Sequence, residues 1–303
     1  MHKKILSIAT VLAVTATVAS APAHAADGRL EKIKSTGEIA LGHRDTSIPF
    51  SYLDDKQQPI GYSMDICYGI IDVLKEKLEM DDIAIRYVPV TSSTRIPLVA
   101  NGTVDINCGS STNTIERQVQ VDFAPTTFVT ATRFVAKKSS NINKLEDLKG
   151  KTVVSTAGTS NIRWATGANE SENLGMNIIP SKDHAEAFLT VDQGRAMVFF
   201  MDDILLAGLV ATSRNPDDWM ISEDAYTIEP YALMLPKNDP EFKKTVDDAI
   251  IAMMEDGTIQ KLYTKWFESP IPPTDVNMNW PMSEPLKRAI ANPTDSADPE
   301  NYK

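Results

Sequence analysis

Ile96–Asp105 (IPLVANGTVD) and Phe188–Met197 (FLTVDQGRAM) share one order: a helical stretch, a glycine and the start of a strand. A unit that recurs in both halves of a chain constrains the fold more than any single motif, because each copy must bury its apolar side on a sheet of its own. In the first copy the strand runs on towards Ser110–Thr112, and in the second Ala196–Met201 ends at Asp202 and Asp203. The fold class is α/β, built as two similar lobes. In open α/β sheets the carboxyl ends of the strands gather into one crevice, where ligands bind. Polar and charged residues at those ends are therefore the candidates for function.

Lys3 and Lys4 precede an apolar run from Ile5 to Ala19 and then Ala23-His24-Ala25, the three parts of a secretory signal peptide over residues 1–25. The run is shorter than the ~20 residues that span a bilayer, and no later stretch approaches that length, so no membrane span is expected. No cysteine follows the cleavage site, which argues against a lipid anchor. The mature chain should begin near Ala26 and reside in the periplasm. Export takes the formal charge from −11 to −13, since the leader carries two lysines and no acid. Such a field repels nucleic acid, and no basic run offsets it. A small anionic ligand must then be caught by a local positive cluster. About 278 mature residues exceed what one domain usually holds, which agrees with two lobes.

Three arginines occupy one kind of setting. Gly37–Leu41 reads as a strand ending in the polar turn Gly42–Asp45, which holds Arg44. Ile83–Val90 reads as a β-branched strand whose end, Thr91-Ser92-Ser93-Thr94-Arg95, opens a helix. Thr103–Asn107 is a strand, Gly109 breaks it, and Ser110-Ser111-Thr112 lead to a helix start near Thr114, with Asn113 and Glu116 spaced as a capping box and Arg117 one turn in. Free N–H groups at a helix start and a forked guanidinium both suit a carboxylate. Each arginine alone is an ordinary surface charge; together at equivalent strand ends, Arg44, Arg95 and Arg117 are expected to converge.

In the second half Thr152–Ser155 is a strand, Gly158-Thr159-Ser160 a helix N-terminus, and Met176–Pro180 a strand ending at Ser181–His184. Asp202 faces the same crevice, where a carboxylate suits a ligand ammonium. His43 and His184 have no neighbours at metal-ligand spacing, so no metal or cofactor is expected. Cys67, on the apolar face of a helix over Ser63–Leu78, and Cys108 both point into the first lobe's core, as a disulfide or as two buried thiols. Tyr231–Leu235 leads back to the first lobe. Asp239-Pro240 caps a helix whose apolar stripe is closed by Gly257, and a second helix stops at Ser269–Pro273. A short helix over Glu284–Ile290 follows on the surface, and the last ten residues are expected to be disordered.

GHRDTSIPFSY at Gly42, TSSTRIPL at Thr91, CGSSTNTIERQ at Cys108, LEDLKGKTVV at Leu145, SKDHAEAF at Ser181, FFMDDILLAG at Phe199 and SPIPPTDVNMN at Ser269 together resemble the periplasmic glutamate/aspartate-binding proteins of amino-acid ABC importers, in solute-binding protein family 3. The likeness covers essentially the whole mature chain. It implies a bilobal type II periplasmic binding protein fold with two lobes joined by two hinge strands: residues 26–133 and 235–303 in lobe 1, and 134–234 in lobe 2. It implies a monomer that closes over L-glutamate or L-aspartate and presents it to an inner-membrane permease. Carried over by position, Arg117 with Ser110 and Thr112 would hold the α-carboxylate and Asp202 the α-ammonium. Arg44, Ser92, Arg95 and His184 would hold the side-chain carboxylate, and Thr159 would touch the ligand from the second lobe. Asn161–Leu174 departs from the family pattern and is expected on the outer face. Two other readings remain open, an enzyme on the same fold, such as a periplasmic cyclohexadienyl dehydratase, and a sensor that docks a signalling partner.

Overall fold

The computed structural model describes residues 28–303, and the signal-peptide expectation lies outside them. Two five-stranded sheets have the same plan. In the first, Glu38–His43 lies between Ala84–Pro89 and Ile106–Asn107, all parallel, and Met234–Leu235 then Asp122–Phe123 follow with Met234–Leu235 antiparallel to both neighbours. In the second, Thr152–Thr156 lies between Asn177–Ser181 and Val198–Asp202, again parallel, followed by the antiparallel Thr132–Lys137 and then Trp219–Ile221. The repeat legible at Ile96 and Phe188 is thus a repeat of whole sheets. Parallel strands need helical crossovers, which cover both faces and keep the strands apolar.

Phe128–Thr130 and Glu229–Tyr231 pair antiparallel between the two sheets. Their lower end is set in an aromatic cluster, with Phe128 4.9 Å from both Phe50 and Phe267, and Tyr231 5.2 Å from Phe50. Phe50 meets Phe128 and Tyr231 edge to face and Phe267 stacks on Phe128, which anchors the Phe128 and Tyr231 end of the pair. The helix Tyr62–Leu78 buries Met64, Ile66, Ile70, Ile71 and Leu74 against the first sheet. Within that core Cys67 and Cys108 form a disulfide, Cα atoms 6.2 Å apart, which resolves the two alternatives left by the sequence. Closing a loop with a sequence separation of 41 contributes about 4 kcal/mol by restricting the unfolded chain.

The chain departs from its sequence reading in several places. The first strand continues through Gly42 and His43, which pair with Val88 and Pro89, so Arg44 directly follows the strand rather than sitting inside a turn. The strand expected over Thr103–Asn107 shortens to Ile106–Asn107. The helix after Cys108 is four residues long, Ile115–Gln118, and Thr114 caps it by accepting the Arg117 N–H at 3.3 Å. Asn113 is not the cap: its amide donates to the Asp295 carbonyl at 2.8 Å. The last ten residues are not disordered. Asp295 also accepts from Gln118, the Thr126 N–H donates to the Thr294 carbonyl, and Tyr302, buried, hydrogen-bonds Thr126 through its hydroxyl at 2.8 Å. A polar tail is ordered because its carbonyls meet backbone and side-chain donors of the first half and its one large ring is buried. Among the described residues no helix is long and apolar enough to cross a membrane.

Candidate ligand-binding site

Arg44, Arg95 and Arg117 converge between the sheets, and each is only 2% exposed. Arg44 follows the first strand, Arg95 opens the helix Arg95–Ala100, and Arg117 projects from Ile115–Gln118. Their partners are neutral. Arg95 Nη1 donates to the Ser110 carbonyl at 2.7 Å and Ser111 Oγ at 2.9 Å. Arg117 donates to the Thr112 carbonyl at 2.7 Å and, across the cleft, to the Gly158 carbonyl at 3.2 Å. Arg44 Nη2 donates to His184 Nε2 at 3.4 Å. Among the described residues, arginine ion pairs are made by Arg29, Arg86 and Arg133 and by none of these three.

Three buried cations without a direct ion-pair partner are costly. Burial pushes the Arg44 and Arg117 guanidiniums down to about 10, and burial reinforced by Arg117 and Arg44 pushes Arg95 well below the ordinary range. A guanidinium stays protonated in proteins, so the burden appears as electrostatic strain that an anion relieves. Arg44 Nη1, Arg95 Nε, Arg117 Nε, Ser92 Oγ and Ser110 Oγ are all buried with no hydrogen-bond partner among the described residues. Five orphaned polar atoms on five predicted site residues mark one place built to bind something polar.

His184 comes from the second sheet's side, 1% exposed. Because a guanidinium only donates, Nε2 must accept from Arg44, which leaves the ring proton on Nδ1 to donate to Thr156 Oγ1 at 2.8 Å. The ring is neutral in agreement with its surroundings: burial, then Arg44 and Arg95, hold it well below the usual histidine range. His184 therefore steers Arg44 rather than adding charge.

Asp202 ends the strand Val198–Asp202, 3% exposed. Asn161 Nδ2 donates to Oδ1 at 2.7 Å and the Tyr231 hydroxyl donates to Oδ2. Burial, and next the nearby Glu229, raise the Asp202 carboxyl to about 7. Thr112 Oγ1 meets Ser160 Oγ across the cleft at 3.3 Å. Thr159 lies at the cavity, but its hydroxyl is committed: it donates to the Thr156 carbonyl at 2.7 Å and caps the helix Ser160–Ser171 by accepting the Ile162 N–H. Met201 and Leu205 supply an apolar wall. Gly158, with φ at +79°, brings its backbone so close to Ser92 and Ser93 that a Cβ would lie 2.7 Å from Ser93 Cα, so only glycine lets the sides meet here.

Seven of the nine predicted site residues, Ser92, Arg95, Ser110, Thr112, Thr159, His184 and Asp202, line one narrow cleft between the sheets, and Arg44 and Arg117 are tied to it through His184 and through Thr112 and Gly158. The sequence reading missed four groups. Asn161, expected on the outer face, points inward from the first turn of Ser160–Ser171, and Ser160 sits beside it; the hydroxyl-rich helix start was their only signal. Tyr231 and Glu229 arrive on the hinge strand, where Glu229-Pro230-Tyr231 carried no motif. Among the described residues no cluster of side chains fits a metal ion.

The chain is similar to known proteins over nearly all its length. The L-glutamate/L-aspartate-binding protein of Pseudomonas aeruginosa is 50% identical over 288 residues, 94% of this chain and 95% of that one. The glutamate/aspartate import solute-binding protein of Salmonella typhimurium is 44% identical over 297 residues, 97% and 98% of the two chains. Among solved structures, a mutant of ArgBP from T. maritima matches with a TM-score of 0.70 at 25% identity, covering 79% of this chain and 99% of that one. The family described as bacterial extracellular solute-binding proteins, family 3, matches residues 39–269, a span that takes in both sheets, the hinge pair and every arginine of the cleft. The chain belongs to that family.

Proposed function

We propose that the protein is a periplasmic receptor, acting as a monomer, that captures L-glutamate or L-aspartate between its lobes and delivers it to the permease of an ABC importer. The observation that carries the reading is three buried guanidiniums without ion-pair partners, with the buried carboxylate of Asp202 acting on two of them, Arg95 and Arg117. An acidic amino acid offers the matching set, two carboxylates and one ammonium. Arg117 with Ser110 and Thr112 takes the α-carboxylate, and Asp202 takes the α-ammonium with its second oxygen fixed by Tyr231. Arg95, Arg44 and Ser92 take the side-chain carboxylate, with His184 closing that end from the second lobe and holding Arg44 in place. Thr159, its hydroxyl spent on the helix cap, reaches the ligand through its backbone.

Charge-assisted contacts contribute about 1.5–3 kcal/mol each, while micromolar affinity needs about −8 kcal/mol. The set therefore suffices after the costs of closure and desolvation. Glutamine should be rejected, because a neutral amide leaves the distal guanidiniums uncompensated in a buried site. The receptor reading is favoured over an enzyme on the same fold because the relatives at 44% and 50% identity are named for binding and import.

The test is calorimetric titration of the mature chain, unfolded, freed of ligand and refolded. The expected result is one-to-one binding of L-glutamate and L-aspartate at micromolar dissociation constants or tighter, with L-glutamine at least about a hundredfold weaker. Binding of glutamine as tightly as glutamate would remove the two-arginine account of the distal carboxylate, and no binding of either acid would remove the assignment.

A further inference from the structure

Glu229 is 4% exposed on the hinge strand Glu229–Tyr231 and lies outside the set of contacts just assigned. Its Oε2 accepts from Ser160 Oγ at 2.7 Å, and Ser160 in turn meets Thr112 of the first lobe at 3.3 Å. Its Oε1 accepts from Thr227 Oγ1 at 2.7 Å and from Thr132 Oγ1 at 3.3 Å. Thr132 Oγ1 itself accepts from Asn161 Nδ2 at 2.8 Å, and the same Nδ2 donates to Asp202 at 2.7 Å. One carboxylate on the hinge thus anchors two chains of hydrogen bonds, one ending on the first lobe's Thr112 and the other on the carboxylate assigned to the ligand ammonium.

The charges point the same way. Asp202 alone leaves three guanidiniums with an excess of +2, whereas Asp202 and Glu229 together leave +1, which an acidic amino acid of net −1 cancels. The groups that face Asp202 are Tyr231 and Glu229 from the hinge strand, Asn161 from Ser160–Ser171, Arg95 and Arg117 from the first lobe, and Asp203 next in the chain. Glu229 also faces Arg117 and Tyr231.

We propose that Glu229 is a positioning residue of this site: from the hinge it aims Ser160 and, through Thr132, Asn161 and Asp202, and it supplies the second negative charge that balances the arginines once an acidic amino acid is bound. This rests on the ligand reading above. A consequence is that capture is linked to a proton. The Asp202 carboxyl, raised by burial first and by Glu229 second, must be ionised to hold an ammonium, so binding below neutral pH expels a proton and weakens as pH falls, and Glu229 shifts that range upward.

The experiment is L-glutamate calorimetry from pH 5.5 to 8.5 (conditions chosen to span roughly the carboxyl-to-neutral range) in two buffers of different ionisation enthalpy, on wild type and Glu229→Gln. Wild type is expected to bind more weakly below neutral and to release a proton. Glu229→Gln, with one like charge gone, should show its pH midpoint lowered by about one unit and bind about tenfold more weakly at pH 8. Thr132→Val, which cuts the relay but keeps the charge, should weaken binding severalfold with the midpoint unmoved. Glu229→Gln binding with an unmoved midpoint, whether at full or uniformly reduced affinity, would overturn the proposal while leaving the ligand reading intact, as would Thr132→Val binding as wild type does. Wild type that binds no glutamate at any pH would overturn the ligand reading and this inference with it.

Discussion

Arg95→Met weakens L-glutamate binding by roughly a hundred- to a thousandfold and at the same time raises the melting temperature of the ligand-free protein. The two effects have one cause. Arg95 is the most crowded of the three cations: it is buried, and Arg117 and Arg44 both oppose its charge. Its hydrogen bonds go to a carbonyl and a hydroxyl, neither of which neutralises it. In the free protein it is a cost, and with a distal carboxylate in place it becomes the strongest contact. Methionine keeps much of the packing volume and removes the charge, so binding falls while the fold gains, the trade that sites built for ligands commonly show. Calorimetry for the affinity and a thermal melt of the stripped protein for the stability check the pair. A variant that loses stability as well as affinity would mean Arg95 serves the fold rather than the ligand.

Asp202→Asn has the second-largest effect, and its sign depends on pH. The folded carboxyl lies at about 7, raised by burial first and by Glu229 second, from an ordinary value of 3.8. Between those two values the folded chain holds one more proton than the unfolded chain, so stability falls as pH rises through this window and stays reduced above it. At pH 8 the ionised Asp202 costs the ligand-free fold on the order of 4 kcal/mol. Asparagine lifts that cost, so the variant melts several degrees higher than wild type at pH 8 and close to wild type near pH 4. Its glutamate affinity at pH 8 falls at least about a hundredfold, because the ammonium loses its only assigned carboxylate. Melts at the two pH values together with one titration separate this from simple misfolding, which would lower the melting temperature at both.

What the sequence made legible was whatever local chemistry announces. The three arginines stood out because each follows a strand or opens a helix at the same end of a sheet, and the recurrence of helix, glycine and strand at Ile96 and Phe188 foretold two sheets of one plan. Asp202 was legible for the same reason, as the charged end of an apolar strand. What stayed hidden depends on partners remote in sequence. Asn113 and Thr114 are both good caps, and only the docked tail, taking the Asn113 amide to Asp295, decides for Thr114. Glu229 and Tyr231 become site residues because a hinge strand passes beneath the cleft, which no spacing reveals. The part of His184 follows from a tautomer fixed by Arg44 and Thr156, 140 and 28 positions away. The tail was misread because its polar composition conceals one anchor, Tyr302, whose burial exists only in the folded chain.

A high-resolution crystal structure of the stripped and refolded mature chain with L-glutamate tests the central claim most directly, since that claim is an orientation as well as an affinity. The account predicts the α-carboxylate on Arg117, the ammonium on the Asp202 carboxylate, and the side-chain carboxylate within hydrogen-bond distance of both Arg44 and Arg95. Glutamate bound the other way round, or with its distal carboxylate in solvent and Arg44 and Arg95 still without an anionic partner, would contradict it.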